Sequence, residues 1–313
     1  MNRTPTVSVV IPAYNHAEHI LEAIASVFTQ TFKDFEVIVV NDGSPDDTAE
    51  VLRPLVESER IRYIEQANAG QAAARNRGLA AAAGRFVAFL DDDDVWPPDK
   101  LEWQTEALSA DPELLVVYGS YRTLGEGGAD PRESEGHPSG MVREQFCQGS
   151  PIRTPGQCLI RASALHALNG FDVGIKGADD WDLWLRISEK GRFQYQNRIS
   201  LYYRVHEKNA SGNVWALYTN SMRVVRKHFG NRWSGKRRDE YRLASSFVKR
   251  FTVNDYMAAG WRHVSYRRTG QSLKCMMIAA ILDPCLVFRR TWWKLGFRSV
   301  LCLAPSANRS TQR

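Results

Sequence analysis

The chain has 313 residues, which is enough for one large core or for a core domain with an appendage. Its hydrophobic fraction of 43% and charged fraction of 24% are typical of globular proteins and exclude disordered and fibrous classes. Residues 1–213 carry 21 Lys and Arg against 31 Asp and Glu (net −10), whereas residues 214–313 carry 20 against 4 (net +16). The charge therefore predicts an acidic domain, 1–213, followed by a basic extension, 214–313.

Cysteine use and hydropathy favour a cytoplasmic protein. The five cysteines lack any paired short spacing, so neither a disulfide framework nor a zinc site is indicated. The N-terminus passes directly into strand-like sequence, so we expect no signal peptide. The longest apolar run near the C-terminus, 275–282, is far shorter than the roughly 20 residues of a spanning helix.

Strand-like and helical patterns alternate through the first 90 residues. Apolar runs rich in β-branched residues predict strands, and apolar residues at helical spacing predict the helices between them. The predicted strands are 7–11, 35–40, 61–64 and 85–90, and the predicted helices are 17–29, 46–56 and 71–83. This alternation indicates the α/β class, with a doubly wound and mainly parallel sheet.

The second half of the acidic domain has a weaker pattern. Residues 125–139 are rich in Gly, Pro and charge and predict a mobile loop. Order is expected again at 155–160, in a helix at 179–189 and in a strand-like run at 199–205. We divide the domain into a first half, 1–120, and a second half, 121–213, and expect the extension 214–313 to be helical.

Polar residues follow three of the predicted strands. Tyr14 and Asn15 follow the first, Asp42 the second, and the run 91–94 the fourth. Ligands of doubly wound sheets bind at the carboxyl ends of the strands, so the three clusters predict one site.

The run FLDDDDVW places four carboxylates at a strand end. Because adjacent carboxylates repel one another, a divalent cation with oxygen ligands explains the run. The alternative is an exposed acidic turn, but the run directly follows buried-type strand residues, which favours the metal.

Other candidate residues also have structural explanations. Asp42 is placed to accept the imide N–H of a uracil, or else to close the strand through an Asx turn. Arg75 and Arg77 lie on a helix whose start suits phosphate, or else they are solvated on a packing helix. His206 ends a strand-like run, where it completes a metal shell or is structural.

The segment GADDWDLWLRI begins a helix with three aspartates in its first turn. Such acids are ordinary partners of the helix dipole. Alternatively, a carboxylate beside Trp181 has its proton affinity adjusted for general-base catalysis.

Five motifs together resemble glycosyltransferase family 2, whose fold is GT-A. They occur in the family's order over about residues 5–210: VSVVIPAYN, EVIVVNDGSPDDT, NAGQAAARNRGL, FLDDDDVWPPDKL and GADDWDLWLR. The resemblance implies that 1–120 is a Rossmann-like nucleotide-sugar-binding half and that 121–213 is an acceptor half. It also implies a nucleotide-sugar donor and Mg²⁺ or Mn²⁺ as cofactor.

The resemblance also implies roles for individual residues. The catalytic base of an inverting reaction falls on Asp180, with Asp179 replacing the commoner Glu. The metal falls on Asp93, with His206 as a further candidate ligand. The predicted contacts to the donor nucleotide are Pro12, Tyr14, Asp42, Arg75, Asp91 and Asp92, while Asp94 stays unassigned.

The resemblance implies one sugar transferred per encounter, because the Gln-x-x-Arg-Trp element of processive members is not evident. We expect a hexosyltransferase that uses a UDP-sugar and a saccharide or lipid-linked acceptor in envelope or surface polysaccharide synthesis. A sugar-phosphate nucleotidyltransferase and a non-catalytic membrane-surface protein are the alternatives.

The extension 214–313 lies outside the resemblance. Its charge and aromatic residues, with the segment FRRTWWKLGFRSVL at 288–301, are typical of a helix bound peripherally to an anionic membrane surface. A helical cap with a solvated basic face explains them nearly as well. Nucleic acid is not expected as a partner, because no recognised motif supports it.

Overall fold

The computed structural model describes residues 4–124, 137–205, 214–230, 238–265, 269–284 and 294. The chain divides into two compact units, Met1–Gly212 and Asn213–Arg313. We call them the N-terminal and the C-terminal unit.

The described part of the N-terminal unit contains one seven-stranded sheet, in the order β3-β2-β1-β4-β6-β5-β7. Its strands are β1 (Val7–Ala13), β2 (Phe35–Asn41), β3 (Arg62–Glu65), β4 (Phe86–Phe89), β5 (Leu114–Leu124), β6 (Cys158–Arg161) and β7 (Arg192–Arg204). Strand β1 pairs in parallel with β2 and β4, β2 with β3, and β5 with β7, whereas β6 is antiparallel to both of its neighbours. The expected α/β class with a mainly parallel sheet is confirmed.

Helices flank this sheet. They are α1 (Ile20–Phe28), α2 (Thr48–Glu57), α3 (Gln71–Ala81), α4 (Lys100–Ala110), α5 (Arg143–Cys147), α6 (Ala162–Ala167) and α7 (Asp179–Ser188), with a 3₁₀ turn at Pro155–Gln157. All seven residues of β1 are buried, as expected for a strand covered on both faces.

The packing of α3 against β1 helps to position the site. A Cβ atom added to Gly78 would lie only 2.2 Å from Cγ1 of Val10, so glycine permits a close approach of helix and strand. One turn earlier in α3, Arg75 is thereby held buried beneath the carboxyl ends of the strands.

The parallel register brings the predicted polar clusters to one edge. Ala13 at the end of β1 is paired with Asn41 at the end of β2, and Val10 is paired with Phe89 of β4. Tyr14, Asp42 and the aspartates of 91–94 consequently follow neighbouring strand ends.

The helices of the C-terminal unit are α8 (Val214–Phe229), α9 (Arg238–Ser265) and α10 (Thr269–Leu282). A buried cluster of Val214, Val253, Tyr256 and Ala279 joins all three. Within the described ranges, no helix combines the length and the hydropathy needed to span a bilayer.

Several elements differ from the sequence-based prediction. Helix α4 and strand β5 were not predicted. The order expected at 155–160, without an element type, is a 3₁₀ turn followed by β6, and the run 199–205 is only the second half of β7. Most of the predicted loop, 125–136, lies outside the described residues, as does most of the aromatic segment 288–301.

Candidate active site

Asp92 ties the end of β4 to the loop after β1. Its Oδ2 accepts the backbone N–H of Tyr14 at 2.8 Å, and its Oδ1 lies 2.8 Å from Nδ1 of His16. Asn15, between them, has a φ of 61° and turns the chain toward the aspartate. Burial raises the pKa of Asp92, although His16 and the Tyr14 amide oppose the rise. The Asp92 carboxylate therefore fixes the loop that follows β1.

A candidate metal site lies at this junction. His16, Asp92 and Asp93 each place a ligand atom so that these atoms lie within 4.8 Å of one another. Two carboxylates with one imidazole fit a divalent metal ion. Asp93 was predicted here, whereas His16 was not, and the other predicted ligand, His206, lies outside the described residues.

Arg75 connects two carboxylates from distant parts of the chain. Its Nη2 donates to Oδ1 of Asp91 at 2.7 Å, and its Nη1 donates to Oδ2 of Asp179 at 3.2 Å. Burial lowers the pKa of Arg75, but the two carboxylates outweigh this effect and raise it overall. The guanidinium thus carries a full charge and joins the β4 edge to the start of α7.

Two more hydrogen bonds fix Asp91. Its Oδ1 also accepts Nε2 of Gln71 at 2.9 Å, and its Oδ2 accepts the hydroxyl of Thr154 at 3.0 Å. Thr154 caps the 3₁₀ turn through a bond from the Gly156 amide. Asp91 is therefore a structural junction, and its predicted contact with the donor stays a prediction.

Asp180 is a carboxylate with altered proton affinity. Burial raises its pKa to about 7, the negative charge of Asp179 adds to the rise, and the Arg75 charge opposes it. Its Oδ1 accepts the Trp181 amide at 2.6 Å. A group that titrates near neutral pH is suited to general-base catalysis.

Asp42 holds the segment that leads into α3. Its Oδ1 accepts Nε2 of Gln66 at 2.7 Å and the Ala69 amide at 2.8 Å, and its Oδ2 accepts the Gly70 amide at 2.8 Å. A carboxylate offers about four acceptor positions, so about one is left. The predicted bond to uracil stays a prediction for that position on Oδ2.

The remaining predicted residues differ in exposure. The Tyr14 side chain is exposed beside the site, as is Arg77 on α3, whereas Pro12 is buried within β1. Their predicted contacts with a nucleotide stay untested.

Asp94, which the sequence left unassigned, points to β7. Its Oδ1 accepts the Arg204 amide at 2.8 Å, and Nε of Arg204 donates to the Asp93 carbonyl at 2.8 Å. Burial and the charges of Asp91 and Asp93 raise the pKa of Asp94 well above its usual range. Asp94 and Arg204 therefore fix the backbone at Asp93.

The family model of glycosyl transferase family 2 matches residues 8–168, which is more than half of the chain. The chain belongs to glycosyl transferase family 2. The model covers the predicted donor residues and Asp93, and it ends before Asp179 and Asp180.

Curated relatives agree with this family assignment. The chain is 37% identical over 185 residues to an uncharacterized glycosyltransferase of Rickettsia felis, covering 59% of this chain and 30% of the relative. It is 34% identical over 212 residues to a hyaluronan synthase of Pasteurella multocida, covering 67% of this chain and 22% of that protein. The alignments span less than a third of the length of these two relatives.

Solved structures confirm the expected GT-A fold. TarS of S. aureus, crystallised with UDP-GlcNAc, has a TM-score of 0.62 at 18% identity, covering 78% of this chain and 72% of that chain. The mannosyltransferase PcManGT of Pyrobaculum calidifontis, in complex with GDP-Man and Mn²⁺, has a TM-score of 0.58 at 19% identity, covering 97% and 86%.

Proposed function

We propose that this chain is an inverting glycosyltransferase that moves one sugar from a nucleotide-sugar, a UDP-sugar in the first instance, to a hydroxyl acceptor. The observation that carries the proposal is the position of Arg75. It joins Asp91, beside the candidate metal residues, to Asp179, which precedes the titratable Asp180. In this proposal, the network of Arg75, Asp91 and Asp179 connects the donor side of the site to the residue that precedes the base.

Asp180 is the proposed base. With a pKa of about 7, the Asp180 carboxyl is ionised in about half of the protein molecules at neutral pH. The ionised carboxylate is able to accept a proton. As Asp180 takes the proton of the acceptor hydroxyl, the oxygen forms a bond to the anomeric carbon. The bond from that carbon to the diphosphate breaks, and the nucleoside diphosphate leaves from the opposite face, which inverts the centre.

His16, Asp92 and Asp93 are the proposed metal-binding residues. Their ligand atoms lie within 4.8 Å of one another, and the carboxylate oxygens suit Mn²⁺ or Mg²⁺. When bound, such an ion neutralises negative charge on the donor diphosphate. The Tyr14 amide and His16 orient Asp92 for this role.

The donor class is supported by the structural neighbours and by the family. TarS was solved with UDP-GlcNAc and PcManGT with GDP-Man, and both ligands are nucleotide-sugars. We propose uracil as the base in this chain because the fourth acceptor position of the Asp42 carboxylate suits an imide N–H. We propose that the ring of Tyr14, which is exposed, packs against that base.

The proposed acceptor is a saccharide or lipid-linked saccharide of a surface polysaccharide. Relatives of the chain include proteins named hyaluronan synthase and chondroitin synthase, whose names refer to polysaccharides. The net charge of +16 on residues 214–313 supports action at the cytoplasmic face of an anionic membrane, with the protein held peripherally.

The proposal is tested by incubating the full chain with Mn²⁺ and a panel of UDP-, GDP- and other nucleotide-sugars. Release of nucleoside diphosphate and transfer to saccharide acceptors are measured. We expect release with a UDP-sugar, loss of transfer in Asp180→Asn with donor binding retained, and loss of metal-dependent donor binding in Asp93→Ala. Asp239→Asn, an exposed carboxylate of α9, is the control for loss of one negative charge.

The products distinguish the alternatives. Release of inorganic diphosphate from a sugar phosphate and a nucleoside triphosphate would identify a nucleotidyltransferase. Absence of turnover with every donor, despite binding to vesicles, would favour a non-catalytic membrane protein. Full transfer by Asp180→Asn would remove Asp180 as the base and leave the family assignment unchanged.

A further inference from the structure

One side of α10 carries an exposed row of aliphatic side chains. Leu273, Met277 and Ile281 follow one another at intervals of four residues and are 40%, 60% and 71% exposed. Residues at this spacing lie on the same side of a helix. We call these three residues the α10 stripe.

The opposite side of α10 is already packed. Met276 and Ala279 are buried, and Ala279 joins the cluster that Val214 of α8 and Val253 of α9 also form. Cys275, Ile278 and Leu282 pack against the same cluster. Packing within the C-terminal unit therefore uses one side of the helix and leaves the α10 stripe exposed.

The composition of α10 makes this exposure informative. Its sequence is TGQSLKCMMIAAIL, in which Lys274 is the only charged residue. A helix that is apolar on all sides is normally buried on all sides. Single exposed apolar residues are common on protein surfaces, but three aligned ones indicate a contact with another apolar phase.

The charge of the C-terminal unit indicates what that phase is. Residues 214–313 have a net charge of +16, and many of their described cations are exposed. The exposed cations include Arg223, Arg226, Lys227, Arg238, Arg242, Lys249, Arg250 and Lys274. A membrane with anionic lipids offers both an apolar layer and negative charge, and amphipathic helices bind it through both.

Other occupants fit these features less well. A second copy of the chain would bring another unit of the same high positive charge against the first. Single-stranded nucleic acid offers negative charge, but proteins bind its bases through aromatic side chains, and the α10 stripe is aliphatic.

We propose that the α10 stripe inserts into the interface of an anionic phospholipid membrane, with the ammonium group of Lys274 at the level of the headgroups. The inference names the surface for the peripheral membrane association in the proposed function, and in that respect it rests on that function. It adds α10 to the aromatic segment 288–301, whose contact with a membrane stays a prediction of the sequence.

The test is flotation of the full chain with vesicles of zwitterionic phospholipid, alone or with about one third anionic phospholipid. Wild type is compared with the double variant Leu273→Gln, Met277→Gln at about 0.15 M salt, where the Debye length is about 8 Å. We expect the wild type to float with the anionic vesicles. The partition coefficient of the variant onto the same vesicles is expected to be lower by about tenfold or more.

The chain contains a matched control in its N-terminal unit. Leu21 and Met141 are 46% and 61% exposed, close to the values for Leu273 and Met277. The double variant Leu21→Gln, Met141→Gln removes the same two side-chain types from exposed positions. It is expected to float as the wild type does, so general effects of surface polarity are separated from effects of the stripe.

Three results would overturn the proposal. These are absence of wild-type flotation with anionic vesicles, equal flotation of the α10 variant, and a change from dimer to monomer in the α10 variant with unchanged flotation. The last result would assign the stripe to a second copy. If the double variant does not fold, the single variant Ile281→Gln is used, since Ile281 is the most exposed of the three.

Release of nucleoside diphosphate with a soluble acceptor is measured on the same samples. We expect it to be unchanged in the α10 variant, because its substituted residues lie in the C-terminal unit, outside the proposed catalytic residues. Loss of flotation with unchanged transfer would therefore show that the α10 stripe acts in membrane binding and not in catalysis. Flotation without transfer by the wild type would instead contradict the proposed enzyme function.

Discussion

Nη1 of Arg75 lies 3.2 Å from Oδ2 of Asp179, which follows it in the chain by 104 residues. Both side chains are buried, and the other terminal nitrogen of Arg75 is bound to Asp91. The start of α7 is therefore tied electrostatically to the end of β4.

Replacing Arg75 by Met is expected to lower the free energy of unfolding by about 3–5 kcal/mol, because two carboxylates then lose their buried counter-ion. Arg75→Lys keeps the charge but not the bidentate geometry, so the decrease in the free energy of unfolding is expected to be smaller. Urea denaturation at neutral pH measures both. Equal stability of Arg75→Met and wild type would show that the network does not stabilise the unit.

The pH dependence of transfer is expected to report Asp180. The base must be ionised, so kcat/KM is expected to rise as the pH increases through about 7, the pKa of this carboxyl. Asp179→Asn removes a negative charge that raises this pKa, and the rise in activity is therefore expected at lower pH. Kinetics from pH 5 to about 9 measure the shift.

Asp182→Asn is the control on the same helix. Asp182 is paired with Arg186 at 2.8 Å, so its charge is partly neutralised. Its replacement is therefore expected to shift the pH at which kcat/KM rises by less than Asp179→Asn does. If kcat/KM of Asp179→Asn rose at the same pH as that of the wild type, this would contradict an electrostatic effect of Asp179 on Asp180.

The sequence was sufficient to predict the first half of the sheet. Strands β1, β2 and β4 are mostly apolar, and the burial of β1 on both faces agrees with that pattern. The meeting of Tyr14, Asp42 and Asp91–Asp94 at one edge also follows from parallel pairing, because carboxyl ends of parallel strands lie together.

The second half of the sheet depends on contacts that local patterns do not reveal. Strand β5 contains Gly119, where a Cβ atom would come within 2.4 Å of the Arg198 carbonyl, so the glycine reflects close pairing with β7. Strand β6 is only four residues long and antiparallel. Glycine and brief apolar segments are local features of loops as well, which explains why β5 was not predicted and β6 was not assigned as a strand.

Two features of the site were likewise not predictable from local sequence. His16 follows Tyr14 by two residues, but only the left-handed Asn15 directs it toward Asp92. The motif IPAYNHAEH gave one indication, since it places a metal-binding residue type at a strand end. The pairing of Arg75 with Asp179 joins helices far apart in the chain, so it requires the fold itself.

His16→Gln is expected to weaken Mn²⁺ binding by about 10–100-fold, because it removes an imidazole that is either a ligand or the partner that orients Asp92. Calorimetric titration of the full chain with Mn²⁺, without donor, measures the change. His19→Gln is the matched control: its ring centroid lies 6.3 Å from that of His16, and His19 pairs with Glu18 instead. Equal affinity of His16→Gln and wild type would exclude His16 from the metal site.

Lys100, at the start of α4, is expected to make stability depend on pH. Its side chain is fully buried, Nζ donates to Oε1 of Gln104 at 2.7 Å and to the Cys158 carbonyl at 3.2 Å, and burial lowers its pKa to about 7. Between pH 7 and the usual pKa of 10.5, the unfolded chain binds more protons at this residue than the folded chain does. The free energy of unfolding therefore rises with pH in this window.

Lys100→Met keeps most of the apolar stem and removes the titration. From pH 7 to about 8.5, wild type is expected to gain about 1.5 kcal/mol of stability relative to the variant, since each pKa unit corresponds to about 1.4 kcal/mol. Because both proteins share every other titrating group, the difference between their urea unfolding curves at the two pH values isolates Lys100. A difference that stays constant with pH would mean that the buried ammonium keeps its proton across this range, held by Gln104 and the Cys158 carbonyl.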